Sequence, residues 1–185
     1  MSPPALLLLT AARGAGKTTA ACRAVRLAAQ TGLRVGGILA PPRCDAAGAR
    51  LGIDAVDLAS GQRRSLADLE PDPARATVGR YRFDPAALAW STTTMLAALS
   101  QPLDLVVIDE IGRLELRQGG GYAPVLRALP TAAAANVLIL VRDAFLEELA
   151  PHLTGFPQTA VRLTPETRDA VPEEIMRLLR PPRCA

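Results

Sequence analysis

Short apolar runs alternate along the chain with longer stretches that are rich in helix-forming residues. The apolar runs that predict β-strands are residues 5–10, 34–40, 103–109, 136–141 and 159–163. Helices are predicted at residues 17–31, 84–99, 122–129, 143–150 and 166–179. Strands that alternate with helices indicate an α/β fold with a mainly parallel central sheet. The runs 105–108 and 137–141 are continuously apolar, as expected for strands that are covered on both faces.

Residues 41–83 interrupt this alternation. Pro41-Pro42 and the stretch 45–48 contain turn-forming residues, and residues 50–58 then alternate apolar and polar positions. Such alternation is typical of a strand with one solvated face, so we expect an inserted antiparallel hairpin at the edge of the sheet. The whole chain, residues 1–185, is predicted to be one domain, with a frayed tail at 180–185.

Composition narrows the class of protein. Hydrophobic residues make up 49% and charged residues 21% of the chain, as in a globular domain. No apolar stretch is long enough to span a membrane, and the apolar start has no preceding positive charge, unlike a signal peptide. Cys22, Cys44 and Cys184 are widely spaced, which favours reduced thiols in the cytoplasm over a disulfide framework or a zinc site. The net charge of +3 comes from scattered arginines, which give no positive indication of a nucleic-acid partner.

The first predicted strand leads directly into a loop with the sequence Ala11-Ala12-Arg13-Gly14-Ala15-Gly16-Lys17-Thr18-Thr19. This is the layout of a phosphate-binding P-loop in which Ala11 replaces the usual first glycine; an ordinary strand–turn–helix connection is the alternative. The N–H groups of the loop and the start of the helix would hold phosphate oxygens, and Gly14 and Gly16 would let the backbone wrap closely around them. Lys17 would reach the β- and γ-phosphates, and the Thr18 hydroxyl would ligate Mg²⁺.

A second motif follows the apolar run 105–108, where Asp109 and Glu110 are adjacent. A carboxylate at the end of a buried strand is costly unless water or a cation stabilises it. Asp109 could therefore hold Mg²⁺ alongside Thr18, and Glu110 could act as a general base or orient a water over the γ-phosphate. Two acids that cap a strand at the surface are the alternative, but the P-loop upstream favours a bipartite nucleotide site.

The same residues bear on the type of reaction. A base beside a metal-binding acid favours attack by water, and therefore hydrolysis. The charge that develops on the phosphate oxygens also requires a cation. Arg142 follows the predicted strand 136–141 and is our candidate, because ligands of such sheets bind at the carboxyl ends of the strands. Arg13 and Arg113 are alternatives, and each of the three could instead be a solvated surface residue.

With these motifs in place, the chain resembles a family of small P-loop nucleoside-triphosphatases that includes thermophile enzymes and a human cancer-related enzyme. The resemblance covers most of residues 5–150. Beyond the P-loop, it is carried by residues 35–37, 52–58 and 78–84, and above all by the string Val-Ile-Asp-Glu-Ile-Gly-Arg-Leu-Glu-Leu at 107–116.

The resemblance implies a RecA-like three-layer domain that slowly hydrolyses ATP, GTP and other nucleoside triphosphates with Mg²⁺ and weak base preference. By position, residues 14–19 would bind phosphate, and Asp109 and Glu110 would serve the metal and the water. Arg113 and Glu115 match the family motif and could equally form a surface ion pair. Tyr81, Trp90 and Tyr122 could stack on a base, although isolated aromatic residues more often fill a core.

Two other functions remain open. A nucleotide or nucleoside kinase would use the insertion at 41–83 as an acceptor site, and its phosphate clamp would be Arg63, Arg64, Arg80 and Arg82. A nucleotide-gated switch would bind a triphosphate chiefly to regulate a protein partner. We expect the hydrolase, with nucleoside triphosphates as its substrates.

Overall fold

The computed structural model describes residues 3–75 and 77–181, and within these ranges nine strands form one sheet. The strands are β1 (Ala5–Ala11), β2 (Val35–Leu39), β3 (Pro42–Cys44), β4 (Arg50–Asp57), β5 (Arg63–Leu69), β6 (Tyr81–Phe83), β7 (Leu105–Ile111), β8 (Asn136–Arg142) and β9 (Gln158–Arg162). The strand order is β6-β5-β4-β2-β7-β8-β1-β9, and β3 pairs with β4. Five successive strands of this order run parallel to one another, namely β2, β7, β8, β1 and β9. Their carboxyl ends therefore meet at one edge of the sheet.

The α-helices are α1 (Lys17–Gln30), α2 (Pro85–Leu99), α3 (Arg113–Gln118), α4 (Ala123–Ala128), α5 (Leu146–Leu149) and α6 (Val171–Leu178). Short 3-10 helices occupy Pro73–Arg75, Leu129–Thr131, Asp143–Phe145 and Ala150–Leu153. Asp84 caps α2, because its carboxylate accepts hydrogen bonds from the Ala86 and Ala87 N–H groups at 2.7 and 3.1 Å. Across residues 3–75 and 77–181, no helix is both long and apolar enough to cross a membrane.

Each face of the sheet carries its own hydrophobic cluster, because successive side chains of a strand point to opposite faces. On one face, Leu6 and Leu8 belong to a cluster that includes residues of α2 and α4. On the other face, Leu7 and Leu9 belong to a cluster that includes residues of α1 and α6. Helices on both faces of a mainly parallel sheet give three layers, which confirms the predicted fold class.

The interruption at residues 41–83 is an antiparallel extension of the sheet, as predicted. β4 pairs antiparallel with β2, and β5 and β6 continue outwards from it. β3 pairs antiparallel with β4, so the insertion has four strands rather than one hairpin. The extension continues the sheet on the β2 side, away from β1 and β9.

Two predicted helices have different bounds in the structure. The helix predicted at 166–179 begins at Val171, because Thr164 and Thr167 accept hydrogen bonds from each other's N–H groups at 2.9 and 3.3 Å and hold a turn there. Pro172 then lies in the first turn, which needs no N–H donor. The helix predicted at 143–150 is a short α-helix between two 3-10 helices.

The end of the chain is tied to β8 at one residue. The Arg180 N–H donates to Asn136 Oδ1 at 2.9 Å, and Asn136 Nδ2 donates to the Arg180 carbonyl at 3.1 Å. Residues 182–185 of the tail predicted to fray, including Cys184, lie outside the described residues.

Candidate active site

The loop between β1 and α1 has the backbone that its glycines allow. Gly14 and Gly16 have φ angles of 78° and 101°, which side chains of L-residues rarely adopt. A Cβ atom at either position would meet no other atom within 4 Å. In the structure, glycine is therefore required at these two positions by the dihedral angle, and lack of space is not the reason.

Ala11, which stands at the usual first glycine of the motif, is the last residue of β1. It lies opposite Arg142 in the parallel register with β8 and is almost fully buried. No described residue other than glycine has a positive φ, so alanine fits this position without strain. The Ala11 carbonyl accepts a hydrogen bond from Lys17 Nζ at 3.4 Å, which turns the lysine back across the loop.

Asp109 lies at the end of β7 and is only 2% exposed. Its Oδ2 accepts a hydrogen bond from the Ala40 N–H at 2.9 Å, and its carboxylate is also hydrogen-bonded to the Thr18 side chain. Burial raises the pKa of Asp109 to about 6 from its ordinary value of 3.8, although these hydrogen bonds lower it in part. A buried carboxylate without a close cationic partner is stabilised by a bound metal ion.

Glu110 is held between two cations. Its Oε1 lies 2.6 Å from Arg142 Nη2, and its Oε2 lies 3.6 Å from Lys17 Nζ. The register between β7 and β8 shifts between Asp109 and Ile111, so Glu110 is left out of the strand pairing. The bulge places two successive carboxylates at the same edge of the sheet, each with its own partners.

The residues present fit a Mg²⁺ ion. Mg²⁺ in nucleotide sites is held by one or two oxygen side chains, by phosphate oxygens and by water, so it needs no cage of protein ligands. The Thr18 hydroxyl and the Asp109 carboxylate contact each other and supply such oxygens. Within residues 3–75 and 77–181, no group of three or more His, Cys, Asp or Glu side chains forms a separate metal site.

A cavity of about 360 Å³ lies over these residues. One end is polar, and its lining includes the predicted residues Arg13, Gly14, Gly16, Lys17, Thr18, Thr19, Asp109, Glu110 and Arg142. Ala11, Ala12 and Ala15, which were predicted as part of the binding loop, do not line it. The opposite wall comes from the antiparallel extension and α2, and it is mainly apolar.

All three arginines predicted as candidates for phosphate stabilisation line the cavity, but their contacts differ. Arg142 forms the ion pair with Glu110, whereas Arg13 and Arg113 have no carboxylate within 4.0 Å in the described part of the chain. Arg142 is therefore the arginine that the structure joins to the acidic pair.

Glu115 is buried, so it does not form the surface ion pair with Arg113 that the sequence allowed. It is 9% exposed, and it accepts hydrogen bonds from the Gly112 N–H at 2.9 Å and the Tyr122 N–H at 3.2 Å. Burial raises the pKa of Glu115, and the two backbone hydrogen bonds partly offset that rise. Its carboxylate thus ties the start of α3 to the segment before α4. The sequence signal for this role is a glutamate three residues after Gly112, at the third position of a helix.

The arginines proposed as a phosphate clamp for a kinase do not face the cavity. Arg63 pairs with Asp54 at 3.1 Å, Arg82 pairs with Glu70 at 3.3 Å, and the Arg64 guanidinium lies 4.6 Å from the centre of the Trp90 ring. None of these three arginines, nor Arg80, lines the cavity.

Of the three aromatic residues considered for base stacking, two line the cavity. Tyr81 and Tyr122 lie on its wall, whereas Trp90 lies away from it against Arg64. The sequence did not reveal the remaining apolar wall, because its residues come from several separate elements, among them β4, β5, β6, α2 and α3.

Comparisons with known proteins agree with this geometry. Residues 6–176 match the family model NTPase_1, which describes an NTPase. The protein named Nucleoside-triphosphatase THEP1 of Thermofilum pendens is 30% identical over 171 residues, which are 92% of each chain. The protein of the same name from Methanothermobacter thermautotrophicus is 33% identical over 111 residues, which are 60% of this chain and 62% of that one.

The chain belongs to this NTPase family. A solved structure supports the assignment: the solution structure of a human cancer-related nucleoside triphosphatase matches with a TM-score of 0.74 at 26% identity, and the match covers 96% of this chain and 98% of that one. The resemblance seen in the sequence is thereby confirmed. In this NTPase, the P-loop and the acidic end of β7 meet at one edge of the sheet, as the two motifs predicted.

Proposed function

We propose that this protein hydrolyses nucleoside triphosphates to the diphosphate and inorganic phosphate. The observation that carries the proposal is the position of Glu110, whose carboxylate lies between the Lys17 ammonium and the Arg142 guanidinium. Both cations suit a phosphate group, and the carboxylate suits the water that attacks it. The NTPase family match supports the same reaction class.

The ion pairs of Glu110 suggest how binding prepares the reaction. A γ-phosphate that enters beside Lys17 carries more negative charge than a carboxylate, so it competes with Glu110 for Lys17 and Arg142. The carboxylate is then free to accept a hydrogen bond from a water molecule and to take its proton. Lys17 and Arg142 in turn stabilise the charge on the departing and transferred oxygens.

We propose that Thr18 and Asp109 hold Mg²⁺ in this reaction. Asp109 is buried and hydrogen-bonded to Thr18, and its carboxylate has no ion pair with a described residue. When bound, the ion would neutralise charge on the β- and γ-phosphates. Burial raises the pKa of Asp109, and the cation would stabilise the ionised form of this carboxylate.

We further propose that ATP, GTP and other nucleoside triphosphates are accepted with weak base preference, in the cytoplasm. The relatives are named for nucleoside triphosphates in general rather than for one base. Cys22 and Cys44 are free and exposed, which suits a reducing compartment.

The proposal is tested by phosphate release from ATP, GTP, CTP and UTP, with and without Mg²⁺. We expect release from all four, with kcat/KM values within about tenfold of one another, because no contact to a base is required for the chemistry. Chelation of the metal with EDTA should abolish release. Turnover that is unchanged in EDTA would contradict the metal site.

Glu110→Gln tests the catalytic residue itself. The amide cannot take a proton, so we expect phosphate release to fall by about 10² to 10⁴, with nucleotide binding retained. Glu148→Gln is the matched control, because Glu148 pairs with Arg117 at the surface, away from the cavity. Full activity of Glu110→Gln would rule out the assigned role.

A further inference from the structure

Cations outnumber carboxylates among the charged side chains that line the cavity. The cations are Lys17, Arg13, Arg50, Arg113 and Arg142, and the carboxylates are Asp109, Glu110 and Glu115. Lys17 and Arg142 pair with Glu110, whereas the other three arginines form no ion pair with a described residue. A concave site in which positive charge is left unneutralised favours a ligand with several negative charges.

The three arginines without an ion pair come from separate parts of the chain. Arg13 lies in the loop after β1, Arg50 is the first residue of β4, and Arg113 is the first residue of α3. The positive charge therefore surrounds the cavity instead of lying at one point. A guanidinium presents a planar fork of N–H donors that matches two phosphate oxygens at once, so this lining suits a chain of phosphate groups.

A bound phosphate chain has a defined direction over this sheet. The N–H groups of a P-loop hold the α- and β-phosphates, and its lysine reaches the β- and γ-phosphates. Lys17 Nζ lies 3.6 Å from Glu110 Oε2, near the carboxyl end of β7. In the sheet, β7 and β9 lie on opposite sides of β1. The γ-phosphate therefore lies towards β7, and the α-phosphate and the nucleoside of a nucleotide lie towards β9.

The cavity covers the γ-phosphate end of this path and not the nucleoside end. In the part of the chain that the structure describes, no residue after Arg142 lines it, so β9 contributes nothing to its wall. Tyr81 and Phe83 line the cavity but belong to β6, at the far end of the sheet on the β7 side. Tyr122 is only 3% exposed and packs in the hydrophobic core. A base held towards β9 does not reach these rings.

Side-chain amides, which can read the edge of a base with both a donor and an acceptor, lie elsewhere. Asn136 is the only asparagine of the chain and starts β8, at the edge of the sheet opposite the cavity. Its Nδ2 donates to the Asp104 carbonyl at 2.8 Å and to the Arg180 carbonyl at 3.1 Å, and its Oδ1 accepts from the Arg180 N–H. Among residues 3–75 and 77–181, no glutamine lines the cavity. The polar lining thus matches phosphate and not a base.

We propose that this protein recognises its substrate through the phosphate chain alone, and that it therefore also hydrolyses inorganic tripolyphosphate. The inference rests on the hydrolytic site proposed above and extends its substrate class to a phosphate chain without a nucleoside. Both ends of tripolyphosphate are alike, so either end can take the place of the γ-phosphate. The absence of an ester leaves it with a further negative charge, which the surplus of cations in the cavity favours.

The bond changes are those of nucleotide hydrolysis. The oxygen of water bonds to a terminal phosphorus, and the bond between that phosphorus and its bridging oxygen breaks. The water proton passes to the Glu110 carboxylate and then to solvent. The products are pyrophosphate and inorganic phosphate.

The test uses the full chain with Mg²⁺ and inorganic tripolyphosphate, and ion chromatography measures the products. We expect equal amounts of pyrophosphate and phosphate, with a kcat/KM within about tenfold of the value for ATP, because the same groups act on the same bond. Tripolyphosphate should also inhibit ATP hydrolysis competitively, with an inhibition constant equal to its own KM.

A second arm supplies the other half of the nucleotide. Adenosine carries the base and the ribose without phosphate, so it should leave ATP hydrolysis unchanged at the concentration at which tripolyphosphate halves it. Adenosine that inhibits as strongly as tripolyphosphate would overturn the proposal, because the nucleoside would then supply the affinity.

Arg13→Ala tests whether an arginine of the lining acts on the phosphate chain. We expect the KM values of ATP and of tripolyphosphate to rise by the same factor, at least about threefold, since both substrates lose the same charged contact. Arg127→Ala is the matched control, because Arg127 is an exposed arginine of α4 that does not line the cavity, and both KM values should equal those of the wild type. A KM that rises for ATP alone would overturn the proposal, because it would assign Arg13 to the nucleoside.

Glu110→Gln shows whether one site performs both reactions. We expect the two activities to fall together. Tripolyphosphate hydrolysis that persists in this variant while ATP hydrolysis is lost would overturn the proposal, because it would place the second activity elsewhere.

The remaining outcomes separate this inference from the proposed function. Hydrolysis of ATP without hydrolysis of tripolyphosphate overturns the inference and leaves the hydrolase proposal intact. Tripolyphosphate that competes with ATP but is not cleaved also overturns it, because turnover would then require the nucleoside. Absence of phosphate release from every nucleoside triphosphate would refute the hydrolase proposal itself.

Discussion

The Lys17 ammonium lies 3.6 Å from Glu110 Oε2, and Lys17 is the only lysine in the 185 residues. The chain contains 21 lysine and arginine residues in all, so every other one of these side chains is an arginine. A lysine carries a compact charge with three donors, whereas arginine is planar and larger. The one lysine stands in the loop where we propose that a small point charge fits beneath a phosphate.

Lys17→Arg should therefore impair nucleotide binding and phosphate release severely. Lys17 is 6% exposed and bonds to the Ala11 carbonyl, so a guanidinium cannot replace the ammonium without moving the loop. We expect nucleotide affinity and phosphate release to fall at least tenfold. Calorimetric titration with ATP and the phosphate assay measure the two effects. Arg23→Lys, at an exposed ion pair, serves as the control, and wild-type kinetics in Lys17→Arg would contradict the prediction.

Arg142→Ala should separate catalysis from stability. The Arg142 side chain is 38% exposed, and an ion pair of this exposure contributes about 1 kcal/mol or less to folding. In the proposed reaction, its loss removes a cation from the transferred phosphate, so we expect kcat to fall about 10² to 10³. Urea unfolding and steady-state kinetics measure both quantities. An unchanged kcat would show that Arg13 or Arg113, and not Arg142, stabilises the transferred phosphate.

Asp109→Asn should stabilise the metal-free protein at neutral pH while abolishing turnover. Burial raises the pKa of Asp109 to about 6 in the folded state, above its ordinary 3.8, so the folded state binds this proton more tightly than the unfolded state. The unfolding free energy of the wild type therefore falls as the pH rises from below 4 to above 6. At pH values above that window, the raised pKa of Asp109 lowers the unfolding free energy by about 3 kcal/mol, and the uncharged amide of the variant would recover this loss.

Urea unfolding in EDTA at pH 4 and at pH 7.5 checks the direction in which the unfolding free energy changes with pH. The variant should be more stable than the wild type at pH 7.5, and the difference should shrink at pH 4. A variant that is less stable at both pH values would show that the Asp109 carboxylate is not strained by burial.

Gly37→Ala should destabilise the fold strongly. Gly37 has a φ of 96°, and a Cβ there would lie 2.2 Å from the Val107 carbonyl oxygen, in the backbone of the neighbouring strand β7. Neither the dihedral angle nor the strand can adjust cheaply, so we expect a loss of more than about 3 kcal/mol by urea unfolding. Gly36→Ala is a close control, because its Cβ would meet side chains rather than backbone, namely the flexible end of Leu103 at 2.6 Å and the Ala98 Cβ at 3.2 Å. Equal stabilities for the two variants would refute the argument.

The sequence predicted most of the elements because the central strands are continuous apolar runs. The run 105–108 and the P-loop could each be found from local pattern alone, and the resemblance over 107–116 then indicated the family. The short helix α3 was missed, since its six residues follow the acidic pair without a periodic apolar pattern. The start of α6 was placed too early because the turn between Thr164 and Thr167 depends on side-chain hydrogen bonds that periodicity does not reveal.

In the candidate site, too, the local sequence predicted some features and only the fold decided the others. The sequence identified Lys17, Asp109 and Glu110 as residue types suited to phosphate and metal chemistry. It did not predict that Glu110 would bridge Lys17 and Arg142, because that contact requires β1, β7 and β8 to be neighbours in the sheet. Nor did it predict that Glu115 would be buried, because both of its backbone partners are brought to it by the fold of residues 112–122.

By itself, the sequence determined the chemical groups and the local backbone that presents them. Glycines at 14 and 16 set the loop, and the apolar run before Asp109 set a strand that ends in two acids. The tertiary structure alone decided which cations meet Glu110, and it formed the mainly apolar wall of the cavity from the antiparallel extension, α2 and α3. The physical reason is that a local pattern fixes dihedral angles and burial, whereas the neighbours of a charge or a cavity wall are set by the order in which distant strands pair.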